Sequence, residues 1–324
     1  MKKSLIIGGA GFIGLHLARE LANQGQEVTI LDNFARSTPD KEFSEVISRE
    51  NVKFIKADIT EKESFSNLGS FDYVYHLAAI NGTDNFYKIP DKVLKVGVLG
   101  TINTLDWFVS SKSGKLLYAS SSEAYAGALN VMKERFPIPT PEQVPLVVED
   151  PSNVRWSYGA GKIISEVAIH SWAKARGLKN FSIVRYHNIY GPRMGNDHVI
   201  PQFIQRITNK ENPFNIFGGS ETRTFCYVDD DVRATQLIME DPSTSGQTYN
   251  IGRSDEEIQI IELAKALFKI ADFYPEIDIK PAPIGSVMRR CPDVTKISGL
   301  GFKPQVSLNE GLKRTYDWYK AHVT

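Results

Sequence analysis

Gly8-Gly9-Ala10-Gly11-Phe12-Ile13-Gly14, entered from Ser4-Leu5-Ile6-Ile7, is the stretch from which the rest of the chain can be read. Residues 4–7 predict a short buried strand. After the glycines, Phe12, Ile13, Leu17 and Leu21 recur at helical spacing as far as Gly25, and Glu27-Val28-Thr29-Ile30-Leu31 predicts a second strand ending at Asp32. Glycine at 8, 11 and 14 permits a tight turn, close approach of the backbone to a pyrophosphate and close packing of helix on strand. The free N–H groups at the helix start then face the anion. Asp32 stands where a carboxylate holds the hydroxyls of an adenosine ribose. A carboxylate there repels a 2′-phosphate, so NAD is expected before NADP, and the nearby Arg36 keeps NADP as a minor alternative.

Working outward, Val52–Lys56 before Asp58, Tyr73–Leu77 before Ala78-Ala79, and Lys115–Ala119 before Ser120 predict successive strands, with helical patterns between them, notably from Val93 to Phe108. Strands alternating with helices predict an α/β, doubly wound parallel sheet of the Rossmann type. Its ligands bind at the carboxyl ends of the strands, where Asp32, Asp58, Ala78-Ala79 and Ser120-Ser121-Ser122-Glu123 fall. Residues 126–155, with prolines at 137, 139, 141, 145 and 151, predict a long loop of the kind that carries substrate contacts. A helix from near Tyr158 to about Arg176 and a strand at 181–184 follow. The expected domains are a dinucleotide-binding domain over residues 1–190 with a return at about 225–252, and a smaller, mixed C-terminal substrate lobe from 191–224 and 253–324.

Composition narrows the function classes. Thirty-eight basic residues balance thirty-eight acidic ones among 324, which removes the electrostatic footprint of a nucleic-acid binder and leaves no polybasic block for a membrane surface. Lys2-Lys3 and the apolar run after them lack a cleavage site, so no signal peptide is expected. No stretch approaches the length of a membrane span. Cys226 and Cys291 form no metal-ligand spacing and no disulfide framework, which suits a reducing cytoplasm. No metal is expected.

Trp156-Ser157-Tyr158-Gly159-Ala160-Gly161-Lys162 places a phenol and an ammonium four residues apart, on one face of the predicted helix. Lys162 can then favour the phenolate of Tyr158 by charge and hydrogen bonding, which a tyrosine with a usual pKa of about 10 needs to act as a base near neutrality. Alone, Tyr-x-x-x-Lys is a weak signal.

Together with the remaining motifs the chain resembles the extended short-chain dehydrogenase/reductases, specifically the nucleotide-sugar epimerases, dehydratases and decarboxylases. The resemblance rests on Gly8-x-x-Gly11-x-x-Gly14, Asp32, Asp58-Ile59, His76-Leu77-Ala78-Ala79, Ser120–Tyr125, Tyr158-x-x-x-Lys162, Arg185-x-x-Asn188-x-Tyr190-Gly191-Pro192, Thr222–Asp229 and Arg289-Arg290-Cys291-Pro292-Asp293. It implies a cofactor site in which Phe12, Ile13, Asn33, Asp58, Ile59, Leu77, Ala78 and Ala79 join the glycines and Asp32. It implies that Tyr158 takes a proton from a sugar hydroxyl, that Ser121 hydrogen-bonds the reacting oxygen, and that Lys162 also holds the nicotinamide ribose. Asn188, Arg223 and Arg290 match positions that grip the diphosphate of a nucleotide sugar, and guanidinium forks suit phosphate oxygens. Ser122 joins the substrate-binding set. Glu123 matches the glutamate that dehydratases and decarboxylases use as base at C5 or as general acid. Gly97 departs from the family, which commonly has Asn there, and Ala126 stands where Gly usually follows Tyr125.

The expected activity is therefore NAD-dependent oxidation of C4 of a nucleoside-diphosphate sugar, in an epimerase, 4,6-dehydratase or simple 4-dehydrogenase. A UDP-glucuronate decarboxylase-type enzyme is the alternative. A non-catalytic NAD(H)-sensing protein on the same fold is the rival of another class. The resemblance also implies a homodimer through the helices around Val93–Phe108 and Tyr158–Arg176, with Trp107 and Trp172 as aromatic positions that would suit it.

Overall fold

Leu5, Ile6 and Ile7 are all fully buried, so their strand is covered on both faces, as parallel strands between helical layers are. In the computed structural model, which describes residues 1–282 and 287–322, this strand is β1 (Lys3–Ile7). It leads through the glycine turn to α1 (Phe12–Asn23), β2 (Glu27–Asp32), α2 (Lys41–Ile47), β3 (Val52–Lys56) and β4 (Tyr73–His76). Next come α3 (Thr83–Lys88), α4 (Pro90–Leu94), a π-helical turn over Lys95–Leu99, and α5 (Gly100–Ser111). They are followed by β5 (Lys115–Ser121), a 3-10 turn over Ser122–Tyr125, α6 (Ala126–Met132), α7 (Trp156–Arg176) and β6 (Phe181–Tyr186). The remaining elements are β7 (Ile189–Tyr190), α8 (Val199–Thr208), β8 (Phe214–Phe217), β9 (Thr222–Thr224), β10 (Cys226–Tyr227), α9 (Val228–Glu240), β11 (Gln247–Ile251), β12 (Glu257–Gln259), α10 (Ile260–Ala271), β13 (Ile277–Lys280), β14 (Arg289–Arg290), α11 (Thr295–Ser298) and α12 (Leu308–His322).

The central sheet has seven strands in the order β11-β6-β5-β4-β1-β2-β3. Every pairing from β3 to β6 is parallel. The order turns back at β1, where β4 lies on one side and β2 on the other, which is the topological switch point of a doubly wound sheet. Leu105, Phe108, Leu116, Tyr118, Ile169 and Ile183 fill the layer between this sheet and the α5 and α7 helices.

The chain divides into two compact units. One comprises Met1–Phe136, Gln143–Tyr186 and Ala234–Tyr249, the other Pro137–Glu142, His187–Arg233 and Asn250–Thr324. Compared with the expected division, the return to the first unit begins at Ala234, and Pro137–Glu142 joins the second. Within that second unit, Thr140 bridges to Pro292, and the Asn250 side chain donates to the Thr140 carbonyl at 2.9 Å while its backbone N–H donates to Glu142.

Two local expectations are corrected. The segment from 126 is not loop throughout, since Ala126–Met132 is helical and a 3-10 turn follows at Lys133–Arg135. Gly127 lies where the returning chain crosses this helix: a Cβ there would stand 1.9 Å from the Val147 carbonyl oxygen. The helical run from Val93 to Phe108 is interrupted by the π-helical turn. There the Gly97 carbonyl accepts the hydroxyls of Thr101 at 2.6 Å and Ser165 at 2.9 Å, fixing a wider turn of the kind that often marks functional sites.

Candidate active site

The glycine turn is close-packed where glycine is required. Gly8 has φ +82°, and a Cβ on it would lie 2.7 Å from the backbone of Ala78; a Cβ on Gly14 would lie 2.3 Å from the Gly8 carbonyl. On Gly11 it would meet only the Gly8 oxygen, at 3.3 Å. The start of α1 thus stays open beside Gly11. It carries no side-chain cap and no acid in its first turn, so the amides of Phe12 and Ile13 are among the first N–H groups without an intrahelical partner. Such free N–H groups at a helix start suit an anion. Asp32 is buried at the end of β2, its Oδ2 accepting the Ala10 N–H at 3.0 Å and its Oδ1 the Phe34 N–H at 2.8 Å and the Ser37 hydroxyl at 3.3 Å. A carboxylate has about four acceptor sites, so capacity remains for a ribose hydroxyl. The open amides beside Gly11 and the spare acceptor capacity of Asp32 fit the pyrophosphate and adenosine ribose of NAD.

At the neighbouring strand ends, the Asn33 side-chain amide donates to Asp58 at 3.0 Å, and the Thr60 amide and hydroxyl both donate to its other oxygen at 2.8 Å. Burial acts to raise the Asp58 carboxyl. The Thr60 and Asn33 bonds and the Lys95 charge outweigh it, holding the group below its usual range. Ile59 is buried, and its carbonyl accepts the Asn103 amide at 2.9 Å. Leu77 continues β4 by donating to the Ile7 carbonyl at 2.9 Å. The small side chains of Ala78 and Ala79 follow, at the point where Gly8 comes closest. His76 shares a hydrogen bond with Thr101 at 3.1 Å, and burial, then the Lys162 charge, lowers its pKa to about 3. It is a neutral packing group, not an acid or base.

Tyr158 and Lys162 lie one turn apart near the start of α7. Tyr158 stacks on Phe86 of α3, the ring centroids 5.0 Å apart and the planes 10° from parallel, and the Ser121 side chain is near enough to its hydroxyl to act on its ionisation. Lys162 is buried, donates to the Ala119 carbonyl at 2.6 Å, and lies 4.9 Å from the Tyr118 ring centroid and 5.6 Å from that of Tyr158. Burial, rather than Lys162, dominates the ionisation of Tyr158 in these surroundings. Burial pushes Tyr158 up to about 12, the Ser121 hydroxyl and the Arg36 charge pull down, and the Glu123 charge adds to the rise. The protein's own groups keep it a phenol. Burial likewise lowers Lys162 to about 7 against the opposing effect of Glu166.

Ser121 caps the 3-10 turn by accepting the Glu123 N–H at 3.2 Å. Ser122 is buried in that turn. The Glu123 carboxylate acts on Tyr158, and Arg155 lies 3.7 Å from it, both side chains about three-quarters buried. Gly159 lets α7 approach this turn, since a Cβ there would stand 3.2 Å from the Glu123 carbonyl. The first unit therefore brings Ser121, Glu123, Tyr158 and Lys162 into one cluster, to which the structure adds Phe86, Arg155 and Arg36. Arg155 was open to discovery in the sequence, three residues before Tyr158. Phe86 carried no such signal.

In the second unit, Arg223 on β9 pairs in register with Arg290 on the parallel β14, so the two guanidinium-bearing positions are direct cross-strand neighbours. Arg289 is instead taken up by Glu257 through bonds of 2.8–3.1 Å. Asn188, at φ +46°, donates from its side chain to the Thr224 carbonyl at 2.9 Å, which ties it to the strand carrying Arg223.

The sequence model of the NAD dependent epimerase/dehydratase family matches residues 4–252. The chain is 34% identical to a UDP-N-acetyl-alpha-D-glucosaminuronate decarboxylase of Bacillus cytotoxicus, covering 98% of each chain. Among solved structures it resembles the UDP-glucose 4-epimerase of Thermotoga maritima (30% identity, TM-score 0.85, 99% of this chain and 100% of that one). It also resembles a dTDP-glucose 4,6-dehydratase of Streptomyces venezuelae solved with NAD bound (26% identity, TM-score 0.86, 98% of this chain and 97% of that one). With its glycine cradle, its Asp32 and its Ser-Tyr-Lys cluster on a doubly wound sheet, the chain belongs to the NAD-dependent epimerase/dehydratase family of extended short-chain dehydrogenase/reductases and is an NAD-dependent enzyme.

Proposed function

We propose that the protein oxidises C4 of a nucleoside-diphosphate sugar to a 4-keto species. The observation that carries this reading is the convergence of the Tyr158 hydroxyl with Ser121, beside the buried Lys162 amine. As a phenolate, Tyr158 takes the proton of the C4 hydroxyl and becomes a phenol, Ser121 holds that oxygen, and Lys162 supplies the positive charge that favours the phenolate beforehand. NAD, when bound, supplies the hydride acceptor. Because Tyr158 is held near 12 in the protein alone, forming the phenolate that accepts the proton depends on positive charge close by, which Lys162 supplies. Arg223 and Arg290, adjacent across two strands, support a role for the second unit in holding the diphosphate, with Asn188 behind them.

A second reading, decarboxylation of a hexuronate at the 4-keto stage, is favoured by Glu123 and Arg155. Once C4 is a ketone, a C5 carboxylate is β to a carbonyl and leaves as carbon dioxide, its electron pair passing into the enolate. Glu123, next to Tyr158 and paired with Arg155, is suited to deliver the proton that C5 then takes up. The Bacillus cytotoxicus relative, a decarboxylase matched over 98% of both chains, supports the same reading.

No helix among the described residues is long and apolar enough to cross a membrane. A cytoplasmic location and a homodimer belong to this proposal. Leu94 on α4 and Ile164 and Val167 on α7 are exposed apolar side chains that suit a face between two copies. Trp107 does not serve there, being 7% exposed and packed against Phe65 and Phe71, and Trp172 gives its N–H to Asp106 at 3.0 Å.

Incubation with UDP-glucose, dTDP-glucose, UDP-glucuronate and UDP-N-acetylglucosaminuronate, followed by mass spectrometry and proton NMR, separates the outcomes. Loss of carbon dioxide, loss of water, loss of two hydrogens and unchanged mass with inverted C4 each name one reaction. Tyr158→Phe is expected to lower turnover by about 10²–10⁴-fold, and turnover at the parent rate would remove the proposed chemistry.

A further inference from the structure

Glu166 lies one turn beyond Lys162 on α7, on the same helical face, and it is the hub of a buried network. One of its oxygens accepts the Ser120 hydroxyl at 2.5 Å and the Arg185 Nε–H at 2.9 Å, and the other accepts Arg185 Nη2–H at 2.6 Å. Arg185 also donates through Nη1 to the Tyr125 hydroxyl at 2.7 Å and lies 4.8 Å from the centre of that ring. Ser120, Tyr125, Glu166 and Arg185 are each at most 5% exposed. The bidentate, fully desolvated pair is the geometry in which a buried ion pair is held most firmly.

The network grips the short segment that carries the chemistry. Ala119, whose carbonyl accepts the Lys162 ammonium, precedes Ser120. Ser121, the partner of Tyr158, follows it. Tyr125 closes the 3-10 turn that bears Glu123. Lys162 is faced by His76 from β4, by Tyr118 from β5, and by Tyr158 and Glu166 from its own helix. His76, Tyr118 and Tyr158 are neutral at pH 7 because burial suppresses their charged forms. Of these facing groups Glu166 supplies the negative charge.

We propose that Glu166 is a positioning residue of the catalytic centre: with Arg185 it locks residues 119–125 against α7, and its carboxylate is the counter-charge that keeps Lys162 an ammonium. The proposal rests on the functional reading above for its consequence and on the geometry for its cause. Burial lowers Lys162 to about 7 and Glu166 opposes that fall, so removing the Glu166 charge lets burial win. Lys162 then gives up its proton more readily, and the tyrosine loses its neighbouring charge.

Glu166→Gln preserves the shape and most hydrogen bonds while deleting the charge, and Glu166→Asp keeps the charge. The direct readout is the pH titration of the Lys162 ε-carbon by NMR on protein carrying ¹³C-labelled lysine, with Lys162→Met for assignment. The expected result is a midpoint about one pH unit lower in Glu166→Gln, restored towards the parent in Glu166→Asp. Turnover at pH 7.5 is expected to fall about tenfold in Glu166→Gln, with KM within about twofold and the alkaline limb of the pH profile moved to lower pH. An unchanged Lys162 midpoint in Glu166→Gln overturns the proposal, as does a uniform loss of activity with an unmoved pH profile, which would mark a merely structural role. A parent protein that processes none of the sugar nucleotides would break the functional reading instead, and the lysine titration would still decide the role of Glu166.

Discussion

Glu166 in the first unit and Asp231 in the second are both buried acids, yet their surroundings are opposite. Both oxygens of Glu166 are taken up by Ser120 and Arg185. Asp231, near the start of α9, is fully buried and has no hydrogen-bond partner on either oxygen among the described residues. Burial, then the charge of Asp230, drives its carboxyl well above the usual range. Asp230 is the satisfied member of that pair, accepting the Gln305 and Val306 amides at 2.9 and 3.1 Å and pairing with Arg233. The difference separates two consequences of burying a carboxyl: partnered, it orders the groups around it; unpartnered, it resists ionisation and costs stability.

The contrast is broken most directly at Glu166. Glu166→Ala leaves Arg185 charged and buried without its partner and is expected to cost about 3–5 kcal/mol, read as a shift in the guanidinium unfolding midpoint at constant slope. A loss below 1 kcal/mol would mean that Arg185 is already well satisfied by Tyr125 and water.

Asp231→Leu, nearly isosteric, is expected to act in the other direction, stabilising by about 1–3 kcal/mol at neutral pH. The sign with pH follows from the raised carboxyl. The folded state holds this proton more tightly than the unfolded chain, so the contribution of Asp231 is fully present below the unfolded value of about 4 and is lost as pH rises towards and through the folded value. The gap between Asp231→Leu and the parent should therefore widen as pH rises from 4. Equal stability at all pH values would show that the carboxyl has found a partner after all.

The smallest expected effect belongs to a buried cation. Lys115 donates to the Ile238 and Asp241 carbonyls and the Thr244 hydroxyl at 2.7–2.8 Å, just past the end of α9, and burial lowers its pKa to about 8. Lys115→Met removes these bonds while the Thr244 hydroxyl still donates to the Ile238 and Asp241 carbonyls, for a cost of about 1–2 kcal/mol, measured by urea unfolding. A cost matching that of Glu166→Ala would mean that buried cations and anions are equally dependent on their partners here.

Much of the site was legible because it is built from local pattern. The strand–glycine turn–helix–strand unit, Asp32 at the second strand end, and Tyr158 and Lys162 one helical turn apart each follow from spacing within a few residues. The groups that tune the site were not legible. Phe86 on the face of Tyr158, Arg155 at Glu123 and Arg185 at Glu166 are meetings of side chains distant in sequence or turned together by a short local geometry, and no periodicity announces them. The 126–132 helix was hidden for a related reason: the prolines that suggested loop lie beyond it, and its packing against Val147 is a tertiary contact.

By itself, then, the sequence determined the strands and helices of the central sheet from Lys3 to Tyr186 in outline, the glycine turn at Gly8–Gly14 and the placing of Tyr158 and Lys162 on one helical face, because backbone sterics and helical periodicity act over short range. Only the tertiary structure decided that Arg223 and Arg290 stand side by side on β9 and β14, that Tyr158 remains a phenol, and that Lys162 is a weakened base held opposite Glu166. Register and ionisation are set by which desolvated groups meet across the fold, and those meetings exist only once the chain has closed on itself.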